Sequence, residues 1–161
     1  MTTDAELEEK FWEALKESPL VMLGLQGVED SRTRPMSAEL DGRDIWFFAV
    51  RGEHLVEGLA SSSRAVAAFV SKGHNLFANI HGSLVIRDDR GMVDRLWGPG
   101  VAGWYKGGKD DPGLTLLHFD TEKAEIWELQ PGTTMRAAIR TMLGDAPGKH
   151  RRDHKAEVQL P

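Results

Sequence analysis

Hydrophobic residues near the start of the chain follow the spacing of an amphipathic helix. Leu7, Phe11 and Leu15 recur every four residues, so their side chains would fall on one face of a helix. Thr3 precedes this stripe and has a glutamate three residues later, which is the spacing of a capping box. Pro19 cannot continue a helix. The pattern therefore predicts one helix that begins near Thr3 and ends just before Pro19.

Short apolar runs then predict a series of β-strands. The predicted strands cover residues 20–25, 32–40, 45–50, 65–70, 76–86, 114–119 and 124–129. Residues 45–50, IWFFAV, are apolar on both faces, so both faces should be buried. One face would line a barrel, and the other would need a helix, a ligand or a second subunit to cover it. Pro35 places the 32–40 strand at an edge, a bulge or a barrel rim.

Helical patterns are fewer. Short helices are predicted over residues 53–60 and 92–97, with a further turn at 101–105, and a last helix over 134–143. The strands come in hairpin-like groups, which favours an antiparallel sheet or barrel with peripheral helices over a doubly wound α/β fold. Residues 1–144 would form one domain. Residues 145–161 are polar and are expected to form a flexible C-terminal tail.

Composition narrows the class of protein and its compartment. The 161 residues suffice for one domain with a single core. A net charge of -5 argues against a general attraction to nucleic acid or to an anionic membrane. No cysteine is present, which excludes disulfides, thiolate catalysis and cysteine-bound metal. The acidic N-terminus lacks the apolar core of a signal peptide, and no apolar run is long enough for a membrane helix, so we expect a cytoplasmic protein.

A glycine-rich tract with aromatic and lysine residues is the first candidate for ligand binding. Residues 96–114, LWGPGVAGWYKGGKDDPGL, contain Trp97, Trp104 and Lys106 among several glycines. Aromatic rings can cover a planar ligand, glycine lets the backbone approach it, and lysine meets negative charge. From the pattern alone, a surface loop anchored by its tryptophans is the commoner arrangement.

Arg32 and Arg34 are the second candidate, because two arginines on one strand face can bind a phosphate. The alternative is a pair of solvated arginines on an exposed sheet face. The six histidines form no metal-binding spacing with acidic partners, so no metal site is expected. The sequence also contains no dinucleotide fingerprint, phosphate-binding loop or nucleophile elbow.

The order of the motifs resembles a known family. Its elements are the helix before Pro19, the strand RPMS at 34–37, the strand WFF at 46–48, the helix at Trp97, the tract WYKGGKDDPGLTLLHF at 104–119 and the strand EIWE at 125–128. In this order, over roughly residues 5–132, they resemble the general stress protein branch of the pyridoxamine 5'-phosphate oxidase-like, FMN-binding split-barrel family. The resemblance implies an antiparallel split β-barrel of about six strands with peripheral helices.

The resemblance also implies a homodimer that holds FMN, or alternatively FAD, in a cleft at the subunit interface. One strand would meet the flavin ring and phosphate, backbone groups of the next strand would reach the cofactor, and the aromatic tract would cover it. The residues placed at the cofactor in this way are Arg34, Pro35, Met36, Ser37, Phe48, Ala49, Arg51, His54, Trp97, Trp104 and Lys106.

Two positions depart from the family pattern. Ala49 stands where members often have a hydroxyl residue, and the helix start at 51–55, RGEHL, lacks the lysine that usually binds the cofactor phosphate. Arg51 or His54 would have to substitute for that lysine. Losing one charge-assisted contact costs about 1.5–3 kcal/mol, roughly ten- to hundred-fold in affinity.

The leading hypothesis is therefore a flavin-binding stress protein that acts as an oxidoreductase on an unknown substrate. One alternative is a non-enzymatic sensor or interaction dimer that has lost tight flavin binding. Another is a deazaflavin or haem protein, with His54 or His81 as the axial ligand. A true pyridoxamine 5'-phosphate oxidase is not expected, because the sequence shows no C-terminal strand with the arginine and histidine of that enzyme.

Overall fold

The N-terminal helix has the predicted cap and the predicted buried face. The structure, a computed structural model, describes residues 2–129 and 154–161. Helix α1 (Asp4–Glu17) begins with a capping box, in which the Glu6 amide donates to Thr3 Oγ1 and the Thr3 amide donates to the Glu6 carboxylate. Leu7, Phe11 and Leu15 are fully buried. The helix ends at Ser18, directly before the proline that cannot extend it.

The strands form one antiparallel sheet. They are β1 (Leu20–Leu25), β2 (Thr33–Ser37), β3 (Glu39–Asp41), β4 (Asp44–Val50), β5 (Arg64–Val70), β6 (Leu76–Ile86), β7 (Leu114–Glu128) and β8 (His154–Gln159). Seven of them follow the order β2-β1-β5-β6-β7-β4-β3, and β8 pairs with β7 beside that path. The described residues thus contain eight strands rather than about six. Of the seven predicted segments, 32–40 is divided in two, 114–119 and 124–129 form a single strand, and the C-terminal residues add another.

The sheet curls because its two edge strands are consecutive in the chain. β2 and β3 lie at opposite ends of the strand order, yet only Ala38 separates them. Successive Cα atoms lie about 3.8 Å apart, so the two edges must approach each other at this residue. Ala38 is buried, and its amide donates to the Pro19 carbonyl oxygen at 2.7 Å. The predicted antiparallel split barrel is confirmed.

Strand β7 is one long strand that joins the predicted segments 114–119 and 124–129, which the sequence expects to be joined or bent near residues 120–121. Its first part pairs with β4, its second part pairs with β8, and β6 follows both parts. The register shifts between His81 and Gly82 of β6. A Cβ atom on Gly82 would lie 2.2 Å from the Asp120 carbonyl oxygen, so this close approach requires glycine. The bulge lets the chain bend at 120–121 without ending the strand.

The C-terminal residues 154–161 are not a flexible tail, which corrects the prediction for this part of the chain. β8 pairs with β7 from Lys123 to Glu128. Ala156, Val158 and Leu160 are buried in the main core. They alternate with polar residues, as a half-buried strand requires. The predicted helix at 134–143 and the tail residues 145–153 lie outside the described residues.

Two separate cores cover the two faces of β4. The main core fills the barrel interior beneath α1 and includes Ile45, Phe47 and Ala49. A second core covers the outer face, where Trp46 and Phe48 pack beneath the connection between β6 and β7. We call this connection, residues 87–113, the strap. The predicted two-sided burial of residues 45–50 is confirmed, with the strap as the cover.

Three short helices complete the described residues. They are α2 (His54–Gly58), which follows β4, and α3 (Arg90–Leu96) and α4 (Pro99–Ala102), which both belong to the strap. Each overlaps a segment for which the sequence predicts a helix or a helical turn. None of the described helices is long and apolar enough to span a bilayer.

Candidate functional site

The end of β4 and the turn that follows it, residues 48–54, lie between two groups of side chains. On the outer face of the sheet, the strap brings aromatic rings onto Phe48. On the other side, the hairpin between β1 and β2 brings a charged cluster to His54. Four of the eleven residues that the sequence places at the cofactor belong to these two groups, namely Phe48, Trp97, Arg34 and His54.

The aromatic group joins Phe48 to the strap. The Phe48 ring lies 6.0 Å from Trp97 and 6.4 Å from Tyr105, and the last two rings are 6.2 Å apart, measured between centroids. The structure therefore brings together Phe48 and Trp97, two of the residues that the sequence places at the cofactor. Trp104 is 82% exposed, and Lys106 is also exposed. The strap thus presents one indole to solvent beside a packed aromatic cluster.

Tyr105 ties the strap to β4, a role that the sequence analysis did not assign. Its hydroxyl donates to the Ala49 carbonyl oxygen at 2.8 Å, and the ring is buried. Burial raises the pKa of Tyr105 to about 12, with Glu53 and Asp111 adding repulsion in the same direction. The phenol is therefore protonated at neutral pH and remains a hydrogen-bond donor. One carbonyl that was predicted to face the cofactor is thus already bonded.

The residues most typical of the family tract hold the strap in shape. The Asp111 carboxylate accepts from the amides of Gly107 at 3.0 Å and Gly113 at 2.8 Å. These two hydrogen bonds lower the pKa of Asp111. A Cβ atom on Gly107 would approach Asp111 Cα to 2.9 Å, so glycine is needed there for space. Asp111 therefore fixes the loop that leads into β7.

Ion pairs connect the same tract to α3. Lys109 Nζ lies 3.0 Å from Asp94, and Arg90 Nη1 lies 2.7 Å from Asp110. These side chains are mostly solvent-exposed, so each pair contributes little to stability alone. Their geometry nevertheless explains why the tract contains these charged residues. Lys109, Asp110 and Asp111 all bond to other residues of the strap.

Arg51 is held at the base of the strap and has no recorded bond to the charged cluster. Its Nε donates to the Leu114 carbonyl oxygen at 3.1 Å, and its Nη2 donates to Asp88 at 2.8 Å. Asp88 also accepts from the Thr115 hydroxyl and the Leu116 amide. The sequence analysis missed Asp88, because in the sequence it is one of several turn residues after β6. Arg51 is thus bonded on the side of the strap.

The residues of β2 divide between the two faces of the sheet. Met36 and Arg34 pair with Val21 and Leu23, whose side chains are buried. Pro35 and Ser37 pair with Met22 and Leu20, the exposed residues of β1, and both are themselves exposed. Because β2 is an edge strand, a ligand along its free edge could contact both faces. The structure thus separates the four predicted β2 residues into two inward and two outward.

Arg34 meets a carboxylate that the sequence analysis did not single out. Its Nη2 donates to Glu29 Oε2 at 2.6 Å. His54 Nδ1, on the first residue of α2, lies 3.8 Å from Glu29 Oε1. The cluster therefore contains Arg34, His54 and Glu29 from three different elements. No pattern in the sequence indicates Glu29, because its position depends on the shape of the β1–β2 hairpin.

The charged cluster fits an anionic ligand in one respect and opposes it in another. Arg34 Nη1 is buried and lacks a hydrogen-bond partner, so it is a donor available to a phosphate oxygen. Glu29, in contrast, neutralises the positive charge of the same guanidinium.

His81 lies apart from this cluster, with Nε2 bonded to Glu125 at 3.2 Å. Among residues 2–129 and 154–161, no group of three potential metal ligands was found.

Comparison with known proteins gives one family. The sequence profile of the family described as pyridoxamine 5'-phosphate oxidase like matches residues 6–151. No protein among the curated sequences matches the chain.

Solved structures with the same fold include close relatives. A protein assigned to the general stress family of Xanthomonas campestris pv. campestris is 49% identical, with a TM-score of 0.76, and the match covers 83% of this chain and 94% of that one. The general stress FMN/FAD binding protein of Xanthomonas citri is 50% identical, with a TM-score of 0.75 and coverage of 81% and 94%. A Clostridium acetobutylicum protein related to general stress protein 26 is 25% identical, with a TM-score of 0.67 and coverage of 78% and 91%.

Proposed function

The chain belongs to the pyridoxamine 5'-phosphate oxidase-like family, in its general stress protein branch, and on this basis we propose that it binds a flavin. The observation that carries the proposal is the 50% identity with the FMN/FAD binding protein of Xanthomonas citri across 94% of that chain. A flavin supplies redox chemistry when bound, while the residues of the chain bind, orient and tune it.

Arg34 and the strap tryptophans are the residues that would hold the flavin. The buried, unpartnered Nη1 of Arg34 suits a phosphate oxygen, and guanidinium groups bind phosphate through paired hydrogen bonds. Trp104 exposes a large aromatic surface that could cover a flat ring. We propose FMN as the ligand, with FAD as the alternative.

Flavin titration tests this proposal. We expect FMN fluorescence to be quenched when purified protein is added. Arg34→Ala should weaken FMN binding by about ten-fold, since a charge-assisted hydrogen bond is worth about 1.5–3 kcal/mol. Riboflavin, which has no phosphate, serves as the matched ligand, and its affinity should not change. A protein that purifies colourless and quenches neither FMN nor FAD would contradict the proposal.

We further propose that the bound flavin acts in an oxidoreductase reaction, with the substrate left open. Anaerobic mixing with NADH or NADPH should then bleach the flavin absorbance. The alternative is a non-enzymatic sensor that has lost tight flavin binding. The ion pair between Glu29 and Arg34 favours this alternative, because it lowers the positive charge available to the cofactor. A flavin that binds but is reduced by neither nicotinamide donor would favour the sensor.

A homodimer with the flavin cleft at its interface is the corresponding proposal for assembly. The predicted reason for a dimer, the second apolar face of β4, is covered by the strap. Another face supports it instead, since Leu20 (64%), Met22 (41%) and Val70 (48%) are exposed on the neighbouring strands β1 and β5. Exposed apolar groups of this kind are typical of protein interfaces.

Light scattering tests the dimer. We expect the unmodified protein to have twice the mass of one chain at micromolar concentration, and Met22→Glu to shift it toward the monomer while the circular dichroism spectrum stays unchanged. Gln159→Glu, which adds the same charge at an exposed position of β8, a strand that pairs with β7 and not with β1 or β5, is the control. A monomeric unmodified protein would contradict the interface.

A further inference from the structure

The Glu29 carboxylate lies between the two groups proposed to meet a phosphate. Its Oε2 accepts from Arg34 at 2.6 Å, and its Oε1 lies 3.8 Å from His54 Nδ1. Both members of the ion pair are largely shielded from solvent, with 12% of the Glu29 side chain and 19% of the Arg34 side chain exposed. The carboxylate therefore lies where an anionic ligand would bind, and it neutralises the positive charge of Arg34 that such a ligand would need.

The ion pair leaves hydrogen-bonding capacity unused on both partners. Arg34 Nη1 and Glu29 Oε1 are buried, and neither has a hydrogen-bond partner. A guanidinium and a carboxylate normally align so that two parallel hydrogen bonds form. Here one hydrogen bond forms, and an arginine donor beside it remains free. A phosphate with several oxygens could use both Arg34 nitrogens, which Glu29 in this position does not.

The backbone that carries Glu29 is held in an uncommon conformation. Glu29, Asp30 and Ser31 all have left-handed φ angles, of 55°, 57° and 56°. Residues with a Cβ atom adopt this region at a steric cost, and three in succession are rare. The Gly27 amide donates to Ser31 Oγ at 3.2 Å, which helps to hold the turn. A relaxed turn would carry Glu29 away from Arg34.

We propose that Glu29 is a built-in competitor for the phosphate site, which the phosphate monoester of the ligand must displace from Arg34. The inference rests on the proposed flavin-binding function and adds to it how the affinity is set. Glu29 lowers the affinity for phosphorylated ligands and leaves the affinity for the isoalloxazine ring unchanged. The left-handed turn is the element that moves when the ligand binds.

Three variants separate this role from a general charge effect. Glu29→Gln keeps the shape and removes the charge. Asp30→Asn makes the same change of charge on the adjacent residue of the same turn. Glu29→Gly removes the side chain and also suits the left-handed φ, so it serves if the glutamine variant folds poorly. Each is titrated with FMN and riboflavin, and unfolding temperature is measured in phosphate and in chloride at equal ionic strength.

We expect Glu29→Gln to bind FMN about ten-fold more tightly than the unmodified protein, the effect of one charge-assisted contact. Riboflavin affinity should not change, and Asp30→Asn should alter FMN affinity by less than about two-fold, as for an exposed charge. In an Arg34→Ala background the gain from Glu29→Gln should vanish. In a protein that binds flavin, weaker FMN binding by Glu29→Gln, an equal gain for riboflavin, or no gain for either FMN or phosphate overturns the proposal.

The phosphate arm distinguishes this proposal from the flavin proposal. If no variant binds any flavin, the flavin function fails, while a larger phosphate-dependent rise in unfolding temperature for Glu29→Gln than for Asp30→Asn still supports the competitor. If flavin binds but Glu29→Gln gains affinity for neither FMN nor phosphate, the competitor fails alone. The absence of any flavin or phosphate effect overturns both.

Discussion

Tyr105 shows how one side chain can join two parts of this molecule. Its hydroxyl reaches from the strap to the Ala49 carbonyl oxygen, and its ring packs beside Phe48 and Trp97. A buried carbonyl that loses its donor is left unsatisfied, which costs free energy. Tyr105 therefore couples the position of the strap to the position of the strand end that lies beside the proposed flavin site.

The ionisation of Tyr105 gives a direct test of its burial. The chain has one tyrosine, so tyrosinate absorbance reports this residue alone. We expect a pKa of about 12 in the folded protein, against its ordinary value of 10.0 when the chain is unfolded. Because the folded pKa is the higher one, the stabilisation is complete below pH 10 and is lost as the pH rises towards 12.

Tyr105→Phe provides the control for this prediction. Without an ionisable hydroxyl, the fall in unfolding free energy above pH 10 should be smaller than in the unmodified protein. At neutral pH the variant should be less stable by about 1–3 kcal/mol, the cost of leaving the buried Ala49 carbonyl oxygen without this donor. Tyrosinate that forms in the folded protein near pH 10 would show that the residue is not buried as described.

Single residues were predictable where the chemistry is aromatic and less so where it is charged. Phe48 and Trp97 come together because large apolar rings must find cover, and the sequence shows that need. Glu29 could not be predicted, because three successive left-handed residues without glycine or asparagine leave no sequence signal. Arg51 or His54 is expected to substitute for the missing lysine, and the bond from Arg51 to Asp88, a partner 37 residues away, is not visible in the sequence.

At the scale of elements, the bulge between β6 and β7 decides how the sheet is built. The register shift at His81 and Gly82 allows β7 to continue through residues 120–121 and to pair with β4 first and β8 afterwards. A straight strand could not follow both partners. The bulge therefore lies where the sequence predicts that the two segments are joined or bent, near residues 120–121.

Gly82→Ala should disturb this element specifically. The added Cβ would meet the Asp120 carbonyl oxygen at 2.2 Å, so the backbone must shift. Overpacking of this kind costs about 1–3 kcal/mol in the free energy of unfolding, measured by urea denaturation. Gly100→Ala is the matched control, since nothing lies within 4 Å of its added atom. Equal stability of the two variants would argue against the bulge.

Element boundaries followed the sequence where hydrophobic and polar residues alternate or apolar runs are compact. The predicted strands at 20–25 and 76–86 have the bounds seen in the structure. Strand β8 was missed although Ala156, Val158 and Leu160 alternate with polar residues, because the basic and acidic residues before them suggested a solvated tail. Its pairing with residues 123–128 is a long-range contact that local pattern does not reveal.

At the scale of the whole molecule, β8 joins the end of the chain to its core. Removing residues 154–161 should lower the unfolding free energy by about 3–6 kcal/mol from the burial of Val158 and Leu160 alone. Typical domains have about 5–15 kcal/mol in total, so we expect a large drop in unfolding temperature or loss of the folded state, followed by circular dichroism. Gln159→Ala, at an exposed position of the same strand, should have little effect.

A truncated protein that unfolds at the original temperature would show that β8 adds nothing to the core.

The class of fold was predictable at this scale, because hairpin-like groups of strands rarely form anything other than an antiparallel sheet or barrel. The position of the split in the barrel could not be predicted from the sequence. It depends on pairs of strands, such as β1 with β5 and β4 with β7, whose paired residues lie 40 or more positions apart.

The single residue between β2 and β3 has a consequence for how this protein tolerates change in length. Ala38 connects the two edge strands of the sheet, so extra residues inserted there would form a flexible linker and let the curled sheet flatten. The unpaired edges of β2 and β3 would then move apart, and each would be more accessible for pairing with another molecule. Surface turns elsewhere can accept insertions with a local cost. At Ala38 an insertion of the same size would instead separate the two unpaired edges of the split barrel and favour polymerisation.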